Sequence, residues 1–146
     1  MSREPEKLMA EADALCFRKG LRLTPTRRRV LELIVQSSGG AKAYDLLDAL
    51  TTENASARPP TIYRAIDFLM SNGLIHRIES LNAYVSCACP EHAQAYQLLI
   101  CEQCGEVQEL HEEALDQQLE QAAAQQGFLI HKKNIEVHGL CRQCNQ

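Results

Sequence analysis

Two Cys-x-x-Cys pairs constrain the second half of this chain more than any other feature of the sequence. Cys101 and Cys104 form the first pair, and Cys141 and Cys144 form the second. Four thiolates in two close pairs match the tetrahedral ligand set of a structural zinc ion. Residues 105–140 separate the pairs, more than the roughly 15–20 residues of a simple zinc ribbon. Such an ion would therefore close a long loop that contains complete secondary-structure elements.

A redox-active Cys-x-x-Cys is the alternative interpretation, but two matched pairs favour metal binding. The N-terminal residues are charged and lack the apolar segment of a secretion signal. No run of the sequence approaches the roughly 18 apolar residues of a membrane span. We therefore expect a cytoplasmic protein, in which seven cysteines stay reduced and bind metal rather than forming disulfides.

The charge of the chain is unevenly distributed, although its net charge is only −4. Residues 1–85 carry 12 Lys and Arg against 10 Asp and Glu, whereas residues 86–146 carry 3 against 9. The first half can therefore approach phosphate, and the second half repels it. Basic side chains of the first half cluster, namely Arg18, Lys19, Arg22, Arg27, Arg28 and Arg29. Of these, Arg22 and the run 27–29 are expected either to stabilise the fold or to contact phosphate.

The first half is patterned as a helical domain that ends in a β-hairpin. Apolar spacing and prolines at helix starts predict four helices, over 3–19, from Thr24, over 44–50 and over 61–72. Two short strands, 74–79 and 83–87, follow around a turn at 80–82. This order predicts a winged helix-turn-helix whose 61–72 helix enters the major groove of DNA.

The predicted recognition helix divides into two faces. Ile62, Ile66 and Leu69 recur at i, i+4 and i+7, so they face the core. The remaining residues of the first turns cannot share that face and should point outward, namely Thr61, Tyr63, Arg64 and Asp67.

The second half is predicted to be a separate small domain. Residues 88–95 are small and polar and resemble a hinge. Beyond them we predict strands at 96–101 and 106–111, a helix at 112–126, and a third strand within 128–137 that is broken near Lys132. The fold is therefore α+β, with a winged-helix domain at 1–87, the hinge at 88–95 and a zinc-stapled α/β dimerisation domain at 96–146. The last domain is too small to bury a stable core by itself, so a homodimer is expected.

A second group of potential ligands surrounds the hinge. It comprises His76, Cys87, His92 and Glu109, with Cys89, His111 and Glu112 in reserve. One thiolate with imidazoles and a carboxylate suits zinc better than Mg²⁺ or Ca²⁺, and iron, cobalt and nickel are alternatives. The ordinary interpretation is a solvated histidine and a buried cysteine. An ion held by these groups would fix one domain against the other. In a dimer it would change the distance between the two DNA-binding domains.

Several segments resemble the ferric uptake regulator superfamily, and most closely its zinc uptake regulator branch. The most specific is Pro59-Pro60-Thr61-Ile62-Tyr63-Arg64, and further matches lie at 23–27, 43–47, 73–80, 135–141 and the Cys-x-x-Cys-Gly turn. The resemblance implies a homodimeric metal-dependent repressor that binds operator DNA upstream of uptake genes when the metal is abundant. It also implies DNA contacts by Tyr44, Tyr63 and Arg64, and we expect Thr61, on the same outward face of the helix, to contact DNA as well.

The resemblance implies two zinc ions per monomer, one structural and one regulatory. The regulatory ligands fall on His76, Cys87 and Glu109, with His92 or Cys89 as the fourth. The iron-sensing branch has a His-rich hinge, where this chain has residues 93–97 without histidine. Zinc is therefore expected to be the regulatory metal, and His131 and His138 are candidates for a further site.

Three other functions compete with this interpretation. An iron- or peroxide-responsive regulator of the same superfamily would share the fold. A zinc enzyme needs an open coordination position, which a four-cysteine site does not offer, so no catalytic residue is expected. A redox-switched interaction protein would use the Cys-x-x-Cys pairs directly. Double-stranded operator DNA and a second copy of the chain are the expected partners, with no membrane and no small-molecule substrate.

Overall fold

The computed structural model describes residues 4–87 and 95–146. The chain forms two compact units, Met1–Glu91 and His92–Gln146, and both combine helices with strands as the α+β prediction requires. The predicted 88–95 hinge falls almost wholly on residues 88–94, which lie outside the described residues. None of the described helices is long and apolar enough to cross a membrane.

The first unit contains four helices and a three-stranded sheet. Its elements in chain order are α1 (Pro5–Arg18), α2 (Pro25–Val35), β1 (Ala41–Lys42), α3 (Ala43–Glu53), α4 (Pro59–Ser71), β2 (Ile75–Ile78) and β3 (Ala83–Ser86). The hairpin of β2 and β3 follows α4, as predicted. Strand β1 was not predicted, because two residues are too short to show a period of two; it pairs antiparallel with β3 and gives the order β1-β3-β2.

Local signals explain where α2 begins and where α4 begins and ends. The side chain of Thr24 accepts a hydrogen bond from the Arg27 amide at 3.3 Å and caps α2. Helix α4 begins with a proline pair at its first two positions, where the missing N–H groups have no helical partner anyway. Gly73 ends it with a φ of 71°, and the next amide, of Leu74, donates to the Leu69 carbonyl at 2.9 Å.

The core of the first unit lies between α2 and α4 and extends to the hairpin. Val30 and Ile34 of α2 are completely buried, and so are Ile62 and Leu69 of α4. Ile78, the last residue of β2, is buried as well. The predicted inner face of α4 is thus confirmed, and this packing fixes which residues its outer face presents.

The run of arginines on α2 stabilises the fold of the first unit. Arg29 lies against Glu53 at the end of α3, with Nη2–Oε1 and Nε–Oε2 distances of 2.6 and 2.9 Å. Arg28 pairs with Asp13 of α1. Arg27 lies over an aromatic ring of α4, 3.8 Å from its centroid. Of the two roles left open for this run, the structural role is the one these contacts support.

The second unit is a three-stranded sheet with one helix. Its elements are β4 (Gln97–Cys101), β5 (Val107–Leu110), α5 (Glu113–Gln125) and β6 (Glu136–Gly139). Strand β4 is central, antiparallel to β5 and parallel to β6. The predicted third strand is therefore correct only at its C-terminal end, because residues 128–130 form no strand. Strand β6 begins at Glu136, which pairs with Leu98 of β4.

Candidate metal centres and DNA-contacting face

The topology of the second unit brings the two cysteine pairs together. Cys101 is the last residue of β4, and Cys104 lies in the turn that leads to β5. Cys141 and Cys144 follow β6, which runs parallel to β4 so that both strands end at the same edge of the sheet. Gly105, with a φ of 79°, permits the tight turn after the first pair.

The spacing of the four sulfur atoms fits a tetrahedral ion. All four lie within 4.8 Å of one another, and the Sγ atoms of Cys104 and Cys141 are 3.7 Å apart. Thiolates at about 2.3 Å from a tetrahedral zinc ion are about 3.8 Å apart. A disulfide would require about 2.05 Å. The arrangement therefore matches a zinc centre rather than an oxidised pair.

The electrostatics of the cluster also favour a cation. The backbone N–H groups of Cys104 and Cys141 point to the Sγ atom of Cys101, at 3.5 and 3.3 Å, and lower the pKa of this thiol to about 6. Hydrogen bonding with the neighbouring Cys141 thiol raises the pKa of Cys144 to about 12. Four thiolates cannot coexist at this distance without a compensating charge, and a bound dication supplies it because it is ligated by the deprotonated form.

A second pair of ligand atoms is built into the hairpin of the first unit. His76 lies on β2 opposite Val85, and Cys87 directly follows β3, where its amide donates to the Leu74 carbonyl at 2.9 Å. Both side chains are buried. An imidazole nitrogen of His76 and the Cys87 sulfur lie within 4.8 Å of each other. The open end of the hairpin therefore brings these two side chains together.

Glu109 lies on β5 in the second unit. Its side chain is only 6% exposed, and one carboxylate oxygen, Oε1, is 2.8 Å from the Nε2 atom of His111. A buried carboxylate is stable only beside a cation or hydrogen-bond donors, so it suits a metal ligand. His92 and Cys89, the candidates for the fourth position, lie outside the described residues.

The four residues expected to contact DNA are all exposed on the first unit. Thr61, Tyr63 and Arg64 lie on the outer face of α4, and Tyr44 lies in the first turn of α3. The exposed fractions of the two tyrosines, Tyr44 and Tyr63, are 78% and 44%. The guanidinium of Arg64 makes no hydrogen bond or ion pair with another described residue, unlike Arg28 and its neighbour on α2.

Sequence reasoning kept His111 only as a reserve ligand and did not predict its contact with Glu109. The available signal was the spacing of two along a predicted strand, which places both side chains on one face of the sheet. That spacing shows a shared face but does not show how the imidazole is oriented.

A winged-helix unit followed by a unit with a four-cysteine centre defines a metal-binding transcriptional regulator. The profile of the Ferric uptake regulator family matches residues 18–138 of this sequence. The chain belongs to this family, and the resemblance inferred from its motifs is confirmed.

Individual relatives are similar along almost the whole chain. The Zinc uptake regulation protein of Escherichia coli (strain K12) is 42% identical over 142 residues, which cover 95% of this chain and 82% of that protein. A zinc uptake regulator solved in complex with zinc and DNA is 39% identical and aligns with a TM-score of 0.88, covering 98% of this chain and 96% of the other. The crystal structure of holo XcZur is 43% identical with a TM-score of 0.87, covering 97% and 99% of the two chains.

Proposed function

We propose that this protein is a cytoplasmic, zinc-responsive transcriptional repressor that binds the operators of zinc uptake genes when it is loaded with zinc. It acts as a homodimer, holds two zinc ions per monomer and catalyses no reaction. The observation that carries the proposal is the buried pair of His76 and Cys87 at the open end of the hairpin formed by β2 and β3. A metal ligated there acts directly on the DNA-binding unit. The similarity to zinc uptake regulators supports zinc as that metal.

The two zinc ions have different roles in this proposal. The four cysteines hold a structural ion, because a closed set of thiolates leaves no open coordination position. His76, Cys87, His92 and Glu109 hold the regulatory ion. One thiolate, two imidazoles and a carboxylate form a ligand set that suits zinc. Since the ligands belong to both halves of the sequence, loading with zinc selects one conformation of the dimer.

The regulatory ion must discriminate strongly between conformations to act as a switch. A near-complete change from a minor to a dominant DNA-binding form requires about 5.5 kcal/mol of differential binding. Zinc sites with protein ligands provide binding free energies above this value. A repressor controlled in this way binds its operator tightly only when both recognition helices match successive major grooves.

Operator recognition is assigned to the outer face of α4. The exposed guanidinium of Arg64 is suited to a bidentate contact with guanine, and Tyr63 offers an apolar ring edge beside it. A good base contact of this kind contributes about 1–3 kcal/mol of discrimination. We assign contacts with the sugar-phosphate backbone to Thr61 and Tyr44, which are both exposed.

The second unit supports the proposed homodimer. Helix α5 has no buried residue, and its apolar side chains Leu115 and Leu119 are 49% and 40% exposed. Strand β6 lies at an edge of the sheet, and its residue Val137 is exposed. An open strand edge next to exposed apolar side chains is what a second copy of the chain would cover.

The test is DNA binding measured by fluorescence anisotropy at fixed salt, with free Zn²⁺, Fe²⁺ or Mn²⁺ buffered at a series of concentrations. The probe is a duplex selected by the zinc-loaded protein from a random pool. We expect tight binding to DNA when Zn²⁺ fills the regulatory site. Binding should be weak when free Zn²⁺ is buffered too low to fill that site. The iron- or peroxide-responsive alternative requires Fe²⁺ or Mn²⁺ to be the more effective metal. Equal affinity at all zinc concentrations would refute the proposal.

A pair of arginine variants tests the DNA-contacting face in the same assay. Arg64→Ala should lose the preference for the selected duplex over random DNA by about 10- to 100-fold, because a bidentate base contact is removed. Zinc content and dimerisation should be unchanged. Arg28→Ala is the matched control, because it removes the same charge from a residue that pairs with Asp13 instead. An unaltered preference in Arg64→Ala would remove this residue from the readout.

A further inference from the structure

The residue that precedes α4 carries an unfavourable charge for its position. Arg58 is the N-cap of α4, and its side chain makes no capping hydrogen bond. This position favours Ser, Thr, Asp or Asn, and the partial positive charge at a helix N-terminus disfavours a cation. The N-caps of α1, α2 and α5 are Glu4, Thr24 and Glu112, and only α3 shares a basic one, Lys42. Arg58 therefore does not serve the stability of its helix.

The backbone at the start of α4 has no N–H group to offer an anion. Pro59 and Pro60 fill the first two positions and lack this group. The next two amides, of Thr61 and Ile62, both donate to the Arg58 carbonyl oxygen, at 3.0 and 3.2 Å. The free N–H groups through which a helix N-terminus usually binds phosphate are therefore absent from this turn, which the structure describes in full. A phosphate at this end of α4 must be bound by side chains.

The guanidinium of Arg58 is available for such a contact. The residue is exposed, and its guanidinium forms no hydrogen bond or ion pair with another residue that the structure describes. On α2, by contrast, Arg28 and Arg29 pair with acidic side chains. A guanidinium is always charged, and its planar fork matches the oxygens of a phosphate. Arg58 thus supplies the anion-binding group that the backbone of α4 lacks.

The distance between Arg58 and the proposed base-reading residue favours phosphate as its target. Arg64 lies six residues further along α4, a rise of about 9 Å at about 1.5 Å per residue. Stacked base pairs are about 3.4 Å apart, so the two side chains are not expected to share one base pair. Duplex DNA presents one phosphate for about every 1.7 Å of its axis. Phosphate is therefore the group that Arg58 meets most readily when Arg64 reads a base.

We propose that Arg58 is a positioning residue that binds a phosphate of the operator backbone and thereby holds the N-terminal end of α4 against the DNA. The inference rests on the proposed function, in which α4 recognises the operator. It gives the two arginines different roles. Arg64 distinguishes one sequence from another, whereas Arg58 contributes the same affinity to any duplex, because a phosphate contact carries no sequence information.

The experiment measures binding of the zinc-loaded full-length protein to the selected duplex and to random DNA, by fluorescence anisotropy at several salt concentrations. Arg58→Ser should weaken both complexes by about tenfold and leave their ratio unchanged, because a charge-assisted contact with the backbone is lost. The slope of log affinity against log salt should fall by about 2, since each subunit of the proposed homodimer releases about one counterion fewer. Arg58→Lys should keep most of the slope, because it retains the charge.

A stability measurement separates this role from a structural one. Serine is a favoured N-cap residue, so Arg58→Ser should leave the midpoint of urea unfolding unchanged or raise it, while DNA binding weakens. Arg28→Ala is the matched control, because it removes the same charge from a residue that pairs with Asp13, and it should keep the wild-type salt slope.

The possible outcomes divide the inference from the proposed function. Wild-type affinity and salt slope in Arg58→Ser would overturn the inference and leave the proposed function intact. A lower preference for the selected duplex in this variant would make Arg58 a base-reading residue and overturn it as well. A lowered urea midpoint with a parallel loss of binding would show a structural role instead. If the zinc-loaded wild type did not prefer the selected duplex, the proposed function itself would be refuted, and the inference with it.

Discussion

The two units of this protein differ in what stabilises each of them. The first buries apolar side chains from all four of its helices and from the hairpin in one continuous core. Among the residues of the second unit that the structure describes, the buried ones all lie on β4, namely Gln97, Leu98, Ile100 and Cys101. Helix α5 contributes none. The first unit thus has a complete apolar core, whereas the second has little buried apolar surface and a cluster of four cysteines that could hold a metal ion.

This contrast indicates what each unit requires for stability. Apolar burial of about 25 cal/mol per Å² can stabilise a four-helix core against its conformational entropy. A sheet of three strands with one uncovered helix lacks that area, and units of this size usually need a metal or a partner. The acidic second unit, which contains the four-cysteine cluster, is therefore the one whose folding should respond to zinc.

Removing the structural zinc ligand should have the largest effect and should be confined to one unit. Cys101→Ser removes a buried thiolate that accepts two backbone N–H groups, so the four-sulfur site cannot close. Structural zinc provides up to about 10–16 kcal/mol of apparent binding free energy, and we expect the second unit to unfold. Hydrogen exchange resolved by segment, with zinc content per monomer, measures this.

Cys87→Ser provides the comparison for that experiment. It should lose zinc-dependent DNA binding, since its thiolate is a proposed regulatory ligand, and should keep protected amides in both units. If Cys101→Ser instead lowered protection equally in the first unit, the two units would not be independent in stability and the contrast above would fail.

Truncation within the first core should come next in size. Leu69→Ala leaves a cavity at a completely buried position of α4 and should lower the free energy of unfolding by about 2–5 kcal/mol. Zinc content should be unchanged. Urea denaturation followed by circular dichroism measures the loss, and a cost below about 1 kcal/mol would contradict a core that depends on packing.

Truncation on α5 should affect association more than folding. Leu119→Ser removes an apolar side chain from the surface proposed to meet a second copy, and a buried leucine contributes about 1.5–3 kcal/mol. The dimer dissociation constant should therefore rise about tenfold or more, as measured by sedimentation equilibrium. Gln118→Ser, at the neighbouring exposed position, should leave it unaltered. An unchanged dimer in both variants would place the interface elsewhere.

The smallest expected effect is the pH dependence of a surface ion pair in the first unit. Hydrogen bonding by Arg29 lowers the pKa of Glu53 below its usual value of 4.5. A carboxyl group with a lowered folded-state pKa stabilises the fold above its unfolded-state pKa, and the gain disappears as pH falls through the folded-state pKa. The stability difference between wild type and Glu53→Gln should thus shrink as pH falls from 6 to 3. A difference that stays constant over this range would show that the charge is not involved.

The sequence predicted most of the elements and their order. Periodicity located the four helices of the first unit, and the turn at 80–82 located the hairpin. It could not reveal β1, whose two residues pair only because β3 is already in place. The start of β6 was also misplaced, because the parallel register with β4 depends on the crossover through α5 rather than on local propensity.

The candidate sites were predictable to different degrees. Spacing alone identified the four cysteines, because Cys-x-x-Cys pairs carry their geometry in a single turn. The open end of a hairpin was sufficient to bring His76 to Cys87. The partners of the arginine run were not predictable, since Asp13 and Glu53 lie on helices distant in sequence.

By itself the amino-acid sequence determined the family, the candidate metal-binding cysteines and the two faces of α4, since these depend on residue identity and local periodicity. Tertiary structure alone decided which arginines pair with acidic side chains inside the fold, as Arg28 and Arg29 do. It also decided that His111 abuts the carboxylate of Glu109. Contacts of this kind depend on distances between side chains to within about an ångström, and such distances are set by packing across elements rather than by the order of residues along the chain.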